Sequence, residues 1–254
     1  MRKNRKVGFP HFRFASINLA TNPFPFSGKS TILLTLLHLL DAQAGSIKID
    51  GIDISHVPRS ILRQQCFITV PQDPFVFINA SLRSNLDPSE ALDDKTIIDA
   101  LEKTHLWQHF AAHARHQQNL SLPHSDNAEE VVSKTLNLQL SEFPVLSTGQ
   151  MQLLSLARAI LRTQVQTGYS DEVLITADTR QLKRILLLDE ATSSLDPATD
   201  DVMQDIIRKE FIAKGHTVIA ISHRLGVPSL DNSGRVIWIR DGRIDKVGGL
   251  RTMA

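Results

Sequence analysis

Short apolar runs that end in polar residues alternate with helical patterns along this chain of 254 residues. Three of the runs, "FITV", "ILLL" and "VIAI", contain no regular polar alternation, which is typical of strands buried on both faces of a parallel sheet. The stretches "GSIKIDGIDI" and "GRVIWIRDGRI" each place Asp-Gly between apolar residues, and this pattern predicts two β-hairpins near a sheet edge. Together these elements predict an α/β domain with a largely parallel sheet.

Helical patterns occur in three further stretches. "ILLTLLHLLD" at 32–41 predicts a buried helix, and "ALDDKTIIDALEKTHLWQHF" at 91–110 predicts a helix capped by Asp93 or Asp94. "LSTGQMQLLSLARAIL" predicts a helix that begins after Ser147. The residues expected to face inward are Ile97, Ile98, Leu101 and Leu106 in the second helix, and Leu153, Leu154, Ala157, Ile160 and Leu161 in the third. Residues 163–183 are mixed and mostly polar, and we expect a surface insertion there.

The composition narrows the class of protein. The chain is 42% hydrophobic and 22% charged with a formal net charge of +1, which is ordinary for a soluble globular protein and gives no sign of a nucleic-acid surface. Cys66 is the only cysteine, so an internal disulfide is excluded and a reducing compartment fits. No apolar run approaches the roughly 18–20 residues that span a bilayer, and we therefore expect that this chain does not cross a membrane by itself.

The stretch Gly28-Lys29-Ser30-Thr31 comes directly before the first predicted helix. A helix start presents unpaired N–H groups and the positive end of the helix dipole, which suits a phosphate. Lys29 would reach the terminal phosphates of a nucleotide, and the Ser30 hydroxyl would ligate Mg²⁺. Gly-Lys-Ser alone is weak evidence, because average residue frequencies give it by chance in roughly one chain in ten of this length.

Polar side chains follow the three buried strands. Asp189 and Glu190 come at the end of "ILLL", His223 just after "VIAI", and Gln72 just after "FITV". Ligands of parallel α/β sheets lie at the carboxyl ends of the strands, where Asp189 could hold Mg²⁺ and Glu190 could accept a proton from an attacking water. The alternatives are a strand that ends in two solvated acids, a structural histidine and an ordinary loop glutamine.

The third predicted helix offers a second anion site, formed by the Ser147 hydroxyl and the Gly149 N–H. Taken together, the Gly-Lys-Ser sequence, the polar residues after the three strands and this helix start resemble the nucleotide-binding cassette of ATP-binding-cassette (ABC) transporters. The matching segments are Gly28 to Ser30 (the end of the Walker A loop), Gln72 (the Q-loop), Leu146 to Gln150 (the signature), Arg184 to Glu190 (Walker B), Ser194 to Asp196 (the D-loop) and His223 (the switch histidine). "LRSNLDP" and "DEATSSLD" are similar to the second cassette of the multidrug-resistance-associated (C) subfamily, and the polar insertion resembles fungal members.

The resemblance implies a fold and its boundaries. It implies a P-loop NTPase core with a mostly parallel sheet, within a cassette spanning residues 27–254 that has a helical signature subdomain at about 83–160. Residues 1–26 do not match the family's upstream region. We therefore expect the N-terminal β-subdomain to be largely missing and the chain to be N-terminally truncated.

The resemblance also implies an activity and its partners: hydrolysis of ATP with Mg²⁺ by a pair of cassettes that drives transmembrane export. The residues it assigns to this chain's own nucleotide are Gly28, Lys29, Ser30, Thr31, Gln72, Asp189, Glu190 and His223, with Ser30, Gln72 and Asp189 as Mg²⁺ ligands and Glu190, His223 and Gln72 as catalytic residues. The residues it assigns to a partner cassette's nucleotide are Ser147, Gly149 and Gln150, with Asp196 in the D-loop. Membrane domains outside this chain would hold it at the cytoplasmic side of a membrane.

The front of the phosphate loop departs from the family pattern. Pro23 and Phe26 stand where the family has glycines, and residues 1–26 supply no aligned aromatic for stacking on adenine. Backbone strain and lost stacking would each cost about 1–3 kcal/mol, together roughly 30- to 20,000-fold in affinity. Two alternatives to the ATPase module of an exporter stay open. One is a non-hydrolysing module that completes a partner's site through its signature; the other is a soluble cassette ATPase acting on nucleic acid or ribosomes, against which the near-neutral charge argues.

Overall fold

The structure is a computed structural model that describes residues 16–20, 28–117, 128–165, 184–222, 235–240 and 242–249. Its strands are β1 (Ser16–Ala20), β2 (Lys48–Ile49), β3 (Ile52–Asp53), β4 (Phe67–Val70), β5 (Ile185–Asp189), β6 (Thr217–Ser222), β7 (Arg235–Arg240) and β8 (Arg243–Gly249). Its helices are α1 (Lys29–Leu36), α2 (Arg59–Ile61), α3 (Leu82–Leu86), α4 (Asp94–Lys103), α5 (Trp107–Gln117), α6 (Ala128–Asn137), α7 (Thr148–Gln164) and α8 (Pro197–Ile207). Short 3₁₀ turns lie at Ile54–His56 and Leu140–Glu142, and π-helical turns at Leu62–Cys66 and Arg208–Ile212.

The chain divides into two compact units. The first comprises Met1–Thr69, Tyr169–Ser193 and Ile207–Ala254, and the second comprises Val70–Gly168 and Ser194–Ile206.

A six-stranded sheet with the order β4-β5-β6-β1-β7-β8 forms the centre of the first unit. β5, β6, β1 and β7 pair in parallel, and β8 pairs antiparallel with β7. The residues from Leu186 to Leu188 and from Val218 to Ile221 are buried, as their unbroken apolar runs predicted. The prediction of an α/β fold with a mostly parallel sheet is confirmed. β1 is an addition that the sequence analysis did not predict.

Both Asp-Gly hairpins are present. β2 pairs antiparallel with β3, and β7 pairs antiparallel with β8. The second hairpin ends the main sheet, as expected. The first forms a two-stranded sheet of its own, so its predicted place at the edge of a larger sheet is wrong.

Apolar side chains from the sheet, from α1 and from the turns at Ile54–His56 and Leu62–Cys66 form the core of the first unit. The buried members are Leu33, Ile54, Leu62, Phe67, Leu187, Ile219, Ile221, Ile237 and Ile239. The helix predicted over 32–41 ends earlier than expected, because the chain leaves α1 at Leu36 and reaches a left-handed conformation at His38 (φ 54°). Leu33 is buried, whereas Leu39 and Leu40 are exposed, so the prediction of one long buried helix is wrong.

The second unit contains the helices α3 to α7. The single helix predicted over 91–110 is two helices, because His105 takes a left-handed conformation (φ 57°) between α4 and α5. Asp93 caps α4 as expected, with its carboxylate accepting the Thr96 N–H at 2.9 Å. Ile97, Leu101 and Leu106 are buried as predicted, while Ile98 is half-buried.

The insertion expected at 163–183 lies outside the described residues from 166 onward, and α7 continues to Gln164. None of the helices within the described ranges is long and apolar enough to span a membrane.

Candidate functional site

The carboxyl ends of four parallel strands define one edge of the sheet. In the register of the sheet, Ile221 of β6 lies between Asp189 of β5 and Leu19 of β1. Neighbouring strands are about 4.8 Å apart, so the end of β5 and the end of β1 are about 10 Å apart. Along the chain, β1 is the strand that precedes Gly28 and α1. The strand that ends in the acidic residues and the strand that precedes the Gly-Lys-Ser sequence therefore end at the same edge of the sheet, with β6 between them.

Gly28 is the N-cap of α1 and has a left-handed conformation (φ 85°, ψ 10°). Its carbonyl accepts the Ile32 N–H at 3.2 Å, so the helix forms from its first turn. A Cβ at this position would lie 3.5 Å from Gly242 Cα in the turn between β7 and β8. That distance is an ordinary contact, so it is the left-handed backbone that favours glycine here, and the helix start that the sequence predicted is confirmed.

The residues after Gly28 begin α1. Lys29 and Ser30 belong to its first turn, but their side chains lie outside what the structure describes. The side chain of Thr31 is exposed, and its carbonyl accepts the Thr35 hydroxyl at 2.7 Å. Pro23, Phe26 and His223 also lie outside the described residues.

Asp189 is the last residue of β5, and Glu190 begins the turn that follows. Glu190 has a left-handed backbone (φ 50°), which costs a non-glycine residue on the order of 1 kcal/mol or more. Its N–H donates to the Ile221 carbonyl at 3.1 Å, and its carbonyl accepts the Ser193 N–H at 3.0 Å. The backbone of Glu190 is therefore held against β6 in a strained conformation, a feature that clusters at functional sites.

Gln72 lies in the exposed loop after β4, as the sequence predicted. The side-chain amide of Gln152 on α7 donates to the Gln72 carbonyl at 2.6 Å and to the Pro71 carbonyl at 3.3 Å. Sequence reasoning missed Gln152, because a glutamine within an amphipathic helix carries no signal that distinguishes it from a solvent-facing one.

Ser147 caps α7 in the way its position predicted. Its hydroxyl oxygen accepts the Gln150 N–H at 3.2 Å, and the Gln150 side chain accepts the Ser147 N–H at 2.9 Å, which is a complete capping box. A hydroxyl that accepts one hydrogen bond keeps its own proton for donation. The Ser147 hydroxyl can therefore cap the helix and still donate to an anion.

The first turn of α7 packs closely on the start of α8. A Cβ at Gly149 would lie 3.0 Å from Thr199 Cγ2. Asp196 accepts the Thr199 hydroxyl at 2.6 Å and the Thr199 N–H at 3.0 Å, and these two hydrogen bonds lower the pKa of the Asp196 carboxyl. Asp196 was assigned by resemblance to a D-loop, and in the structure it also caps α8.

The donor set of the predicted Mg²⁺ site consists of oxygen atoms from a serine hydroxyl, a glutamine amide and one carboxylate. Such hard ligands suit Mg²⁺, which proteins commonly bind through one or two carboxylates together with substrate phosphates and water. Among the residues that the structure describes, no group of three or more His, Cys, Asp and Glu side chains could hold a metal.

Comparison with known proteins supports the resemblance. Residues 27–172, more than half of the chain, match the ABC transporter family. The chain is 38% identical over 223 residues to the ABC transporter gloK of Glarea lozoyensis, covering 87% of this chain and 13% of that protein. It is 38% identical over 202 residues to the ATP-dependent bile acid permease of Saccharomyces cerevisiae, covering 78% and 11%. It is 37% identical over 224 residues to ABC transporter C family member 5 of Arabidopsis thaliana, covering 86% and 12%.

These three relatives are far longer than this chain, which spans 11–13% of their length. Among solved structures, the fold is similar to a bacterial Atm1-family ABC exporter with ATP bound, at a TM-score of 0.65 and 24% identity over 93% of this chain and 34% of that one. On the family match and the motifs described above, the chain belongs to the ABC transporter family.

Proposed function

We propose that this chain is the ATP-binding and ATP-hydrolysing cassette of a transmembrane exporter. Proteins of this family bind ATP, generally with Mg²⁺. The observation that carries the proposal is that two features lie at the carboxyl edge of the parallel sheet: the α1 start at Gly28, beside the turn after β7, and the Asp189–Glu190 turn after β5. Both features contain a residue with a left-handed backbone, Gly28 in the first and Glu190 in the second.

The roles of this chain's own residues follow from their chemistry. The N–H groups at the start of α1 and the ammonium of Lys29 would hold the terminal phosphates. Glu190 would take the proton of the attacking water, and His223 would orient the reacting groups. Ser30, Gln72 and Asp189 would hold the Mg²⁺, which when bound would neutralise charge on the phosphates.

A second cassette is the first partner that the proposal requires. Ser147, Gly149 and Gln150 would face the nucleotide bound by that partner. The capping box supports this assignment, because it fixes the first turn of α7 while leaving the Ser147 hydroxyl proton available for a phosphate.

Membrane domains are the second partner, and they would place the chain at the cytoplasmic side of a membrane. An exposed apolar surface on the second unit supports this: Phe75, Phe77 and Ile78 are 67%, 60% and 60% exposed, and the two rings contact each other edge to face. Exposed apolar clusters of this kind mark interaction sites.

The loop that carries this surface is held by two polar side chains, the buried Asn85 and the half-buried Arg158. The Asn85 side chain donates to the Phe77 carbonyl at 2.8 Å and accepts the Phe77 N–H at 2.8 Å. The Arg158 guanidinium donates to the Phe75 and Asn85 carbonyls. A preorganised apolar loop loses little conformational entropy on binding, so these contacts suit a docking surface for a protein segment of a membrane domain.

The proposal is tested by Mg²⁺-dependent ATP binding and turnover of the full chain. We expect Lys29→Ala to weaken binding and Glu190→Gln to abolish turnover while leaving binding intact. Glu90→Gln is a matched control, because Glu90 is an exposed glutamate that also has a left-handed backbone (φ 51°) and lies in the second unit. Loss of turnover in both glutamate variants would refute the assigned role of Glu190.

A second function is favoured by Pro23 and Phe26, which replace glycines of the phosphate loop, together with the intact capping box at Ser147. In this case the chain would only complete the nucleotide site of a partner cassette. It would bind that partner in an ATP-dependent manner without turnover of its own, and Ser147→Arg would abolish the binding. ATP affinity that rises in Pro23→Gly/Phe26→Gly would show that the altered loop limits this chain's own site.

A further inference from the structure

Gln152 joins the helix that begins at the signature to the loop that carries Gln72. Its side chain is 0% exposed, and its Nε2 donates to the Gln72 carbonyl at 2.6 Å and to the Pro71 carbonyl at 3.3 Å. Both acceptors are carbonyl oxygens, so the NH₂ group of the amide must face them. The orientation of the amide is therefore fixed by the loop.

This orientation leaves the amide oxygen without a partner. Oε1 of Gln152 is buried and has no hydrogen-bond partner within the described part of the chain. An unpaired buried polar atom is destabilising, and a methionine would fill similar space without one. What glutamine provides here, and an apolar residue would not, is a pair of N–H donors for the two carbonyls of the loop.

We propose that Gln152 is a positioning residue that fixes the backbone of Pro71 and Gln72, and thereby the place of the Gln72 side chain at the nucleotide. The proposal rests on the function proposed above for Gln72. The same helix begins at Ser147, so a single rigid element sets both the signature and the loop of Gln72.

The chain contains a matched control for this position. Gln204 on α8 is also a buried glutamine of the second unit, with Nε2 donating to Asp200 at 3.2 Å and Oε1 buried without a partner among the described residues. Gln204 holds a side chain of its own helix, whereas Gln152 holds the backbone of a distant loop. Gln204→Met therefore reproduces the loss of a buried glutamine without touching Gln72.

Two measurements on the full chain test the proposal. The first is hydrogen–deuterium exchange of segment 71–80 without nucleotide, where Gln152→Met is expected to increase exchange and Gln204→Met is not. The second is the gain in ATP affinity on adding Mg²⁺, which Gln152→Met is expected to reduce by about 10-fold, the size typical of a group that orients a metal ligand. In a Gln72→Ala background, Gln152→Met is expected to change this gain no further.

The outcomes distinguish failure of the proposal for Gln152 from failure of the function proposed for Gln72. Equal exchange of segment 71–80 in Gln152→Met and Gln204→Met would overturn the proposal directly. Two other results would overturn the positioning role, because each would show that Gln152 holds the loop without acting through Gln72. One is increased exchange in Gln152→Met with an unchanged Mg²⁺-dependent gain in ATP affinity. The other is an effect of Gln152→Met on this gain that is equally large in the Gln72→Ala background. Absence of any Mg²⁺-dependent gain in the wild-type chain would refute the function of Gln72, while the exchange result still shows whether Gln152 holds the loop.

Discussion

Replacement of Gly149 by alanine tests the packing of the signature turn. Glycine to alanine within a helix is normally stabilising by about 0.5–1 kcal/mol, because alanine has less backbone freedom to lose. At this position the new Cβ would lie 3.0 Å from Thr199 Cγ2, tighter than most Cβ contacts in proteins, so Thr199 would have to shift by a few tenths of an ångström. The sign of the effect therefore depends on whether Thr199 can move.

The structure indicates that Thr199 is held in place. Its hydroxyl and its N–H both donate to Asp196, so a rotation that removes Cγ2 from the contact also removes the hydroxyl from its acceptor. Overpacking of this kind costs about 1–3 kcal/mol. Combined with the helix gain, we expect Gly149→Ala to lower the free energy of unfolding by about 1 kcal/mol.

A double-mutant cycle with Thr199→Ser isolates the contact. Serine keeps the hydroxyl that binds Asp196 and lacks Cγ2, so in this background Gly149→Ala is expected to raise the free energy of unfolding by about 0.5–1 kcal/mol. Urea unfolding of the four proteins then gives a coupling energy of about 2 kcal/mol. An equal effect of Gly149→Ala in both backgrounds would refute the contact and the reasoning built on it.

Three further predictions concern charge and burial. Hydrogen bonds lower the pKa values of Asp53, Asp93 and Asp196 below the value of about 4 that they have in the unfolded chain. The stability that these carboxylates contribute is therefore present above about pH 4, and it is lost as the pH falls through their pKa values in the folded chain. A triple Asp→Asn variant should therefore show a smaller fall in urea midpoint on acidification, and identical pH profiles would contradict this. Burial raises the pKa of the Cys66 thiol, so alkylation at about pH 8 should be much slower in the folded chain than in denaturant; similar rates would show an accessible thiolate. Arg158→Lys keeps the charge but cannot reproduce the forked hydrogen bonds to the loop carbonyls, and should lower the free energy of unfolding by about 2 kcal/mol in urea titrations; an unchanged midpoint would count against those bonds.

Much of the architecture follows from local signals in the sequence. Unbroken apolar runs predicted β5 and β6, since a strand covered on both faces needs apolar side chains at every position. The run that predicted β4 contains Thr69, which is exposed in the structure. Ser147 and Asp93 predicted two helix starts, because their side chains satisfy backbone N–H groups that lack helical partners. The motifs predicted where Gly28 and Asp189 lie in the fold, at a helix start and at a strand end.

Other features depend on partners distant in the chain, and no local signal predicts them. β1 has only Ile17 and Leu19 as large apolar residues, and it becomes a strand because β6 and β7 pair with it on both sides. The break at His105 interrupts an otherwise good helical pattern, which shows tertiary packing overriding local propensity. The left-handed backbone of Glu190 likewise depends on the Ile221 carbonyl of the neighbouring strand.

The closeness of Gly28 to the turn between β7 and β8 affects how retained residues in an altered loop are interpreted. A side chain at position 28 would be strained by the left-handed backbone (φ 85°) that the residue adopts beside the backbone of Gly242. Gly28 can therefore be retained for reasons of folding alone, without selection for a ligand, even where the residues before it have changed. Lys29 is an ordinary helical position free of that backbone constraint, so the effect of Lys29→Ala on ATP binding, rather than the presence of the glycine, shows whether this protein uses a nucleotide.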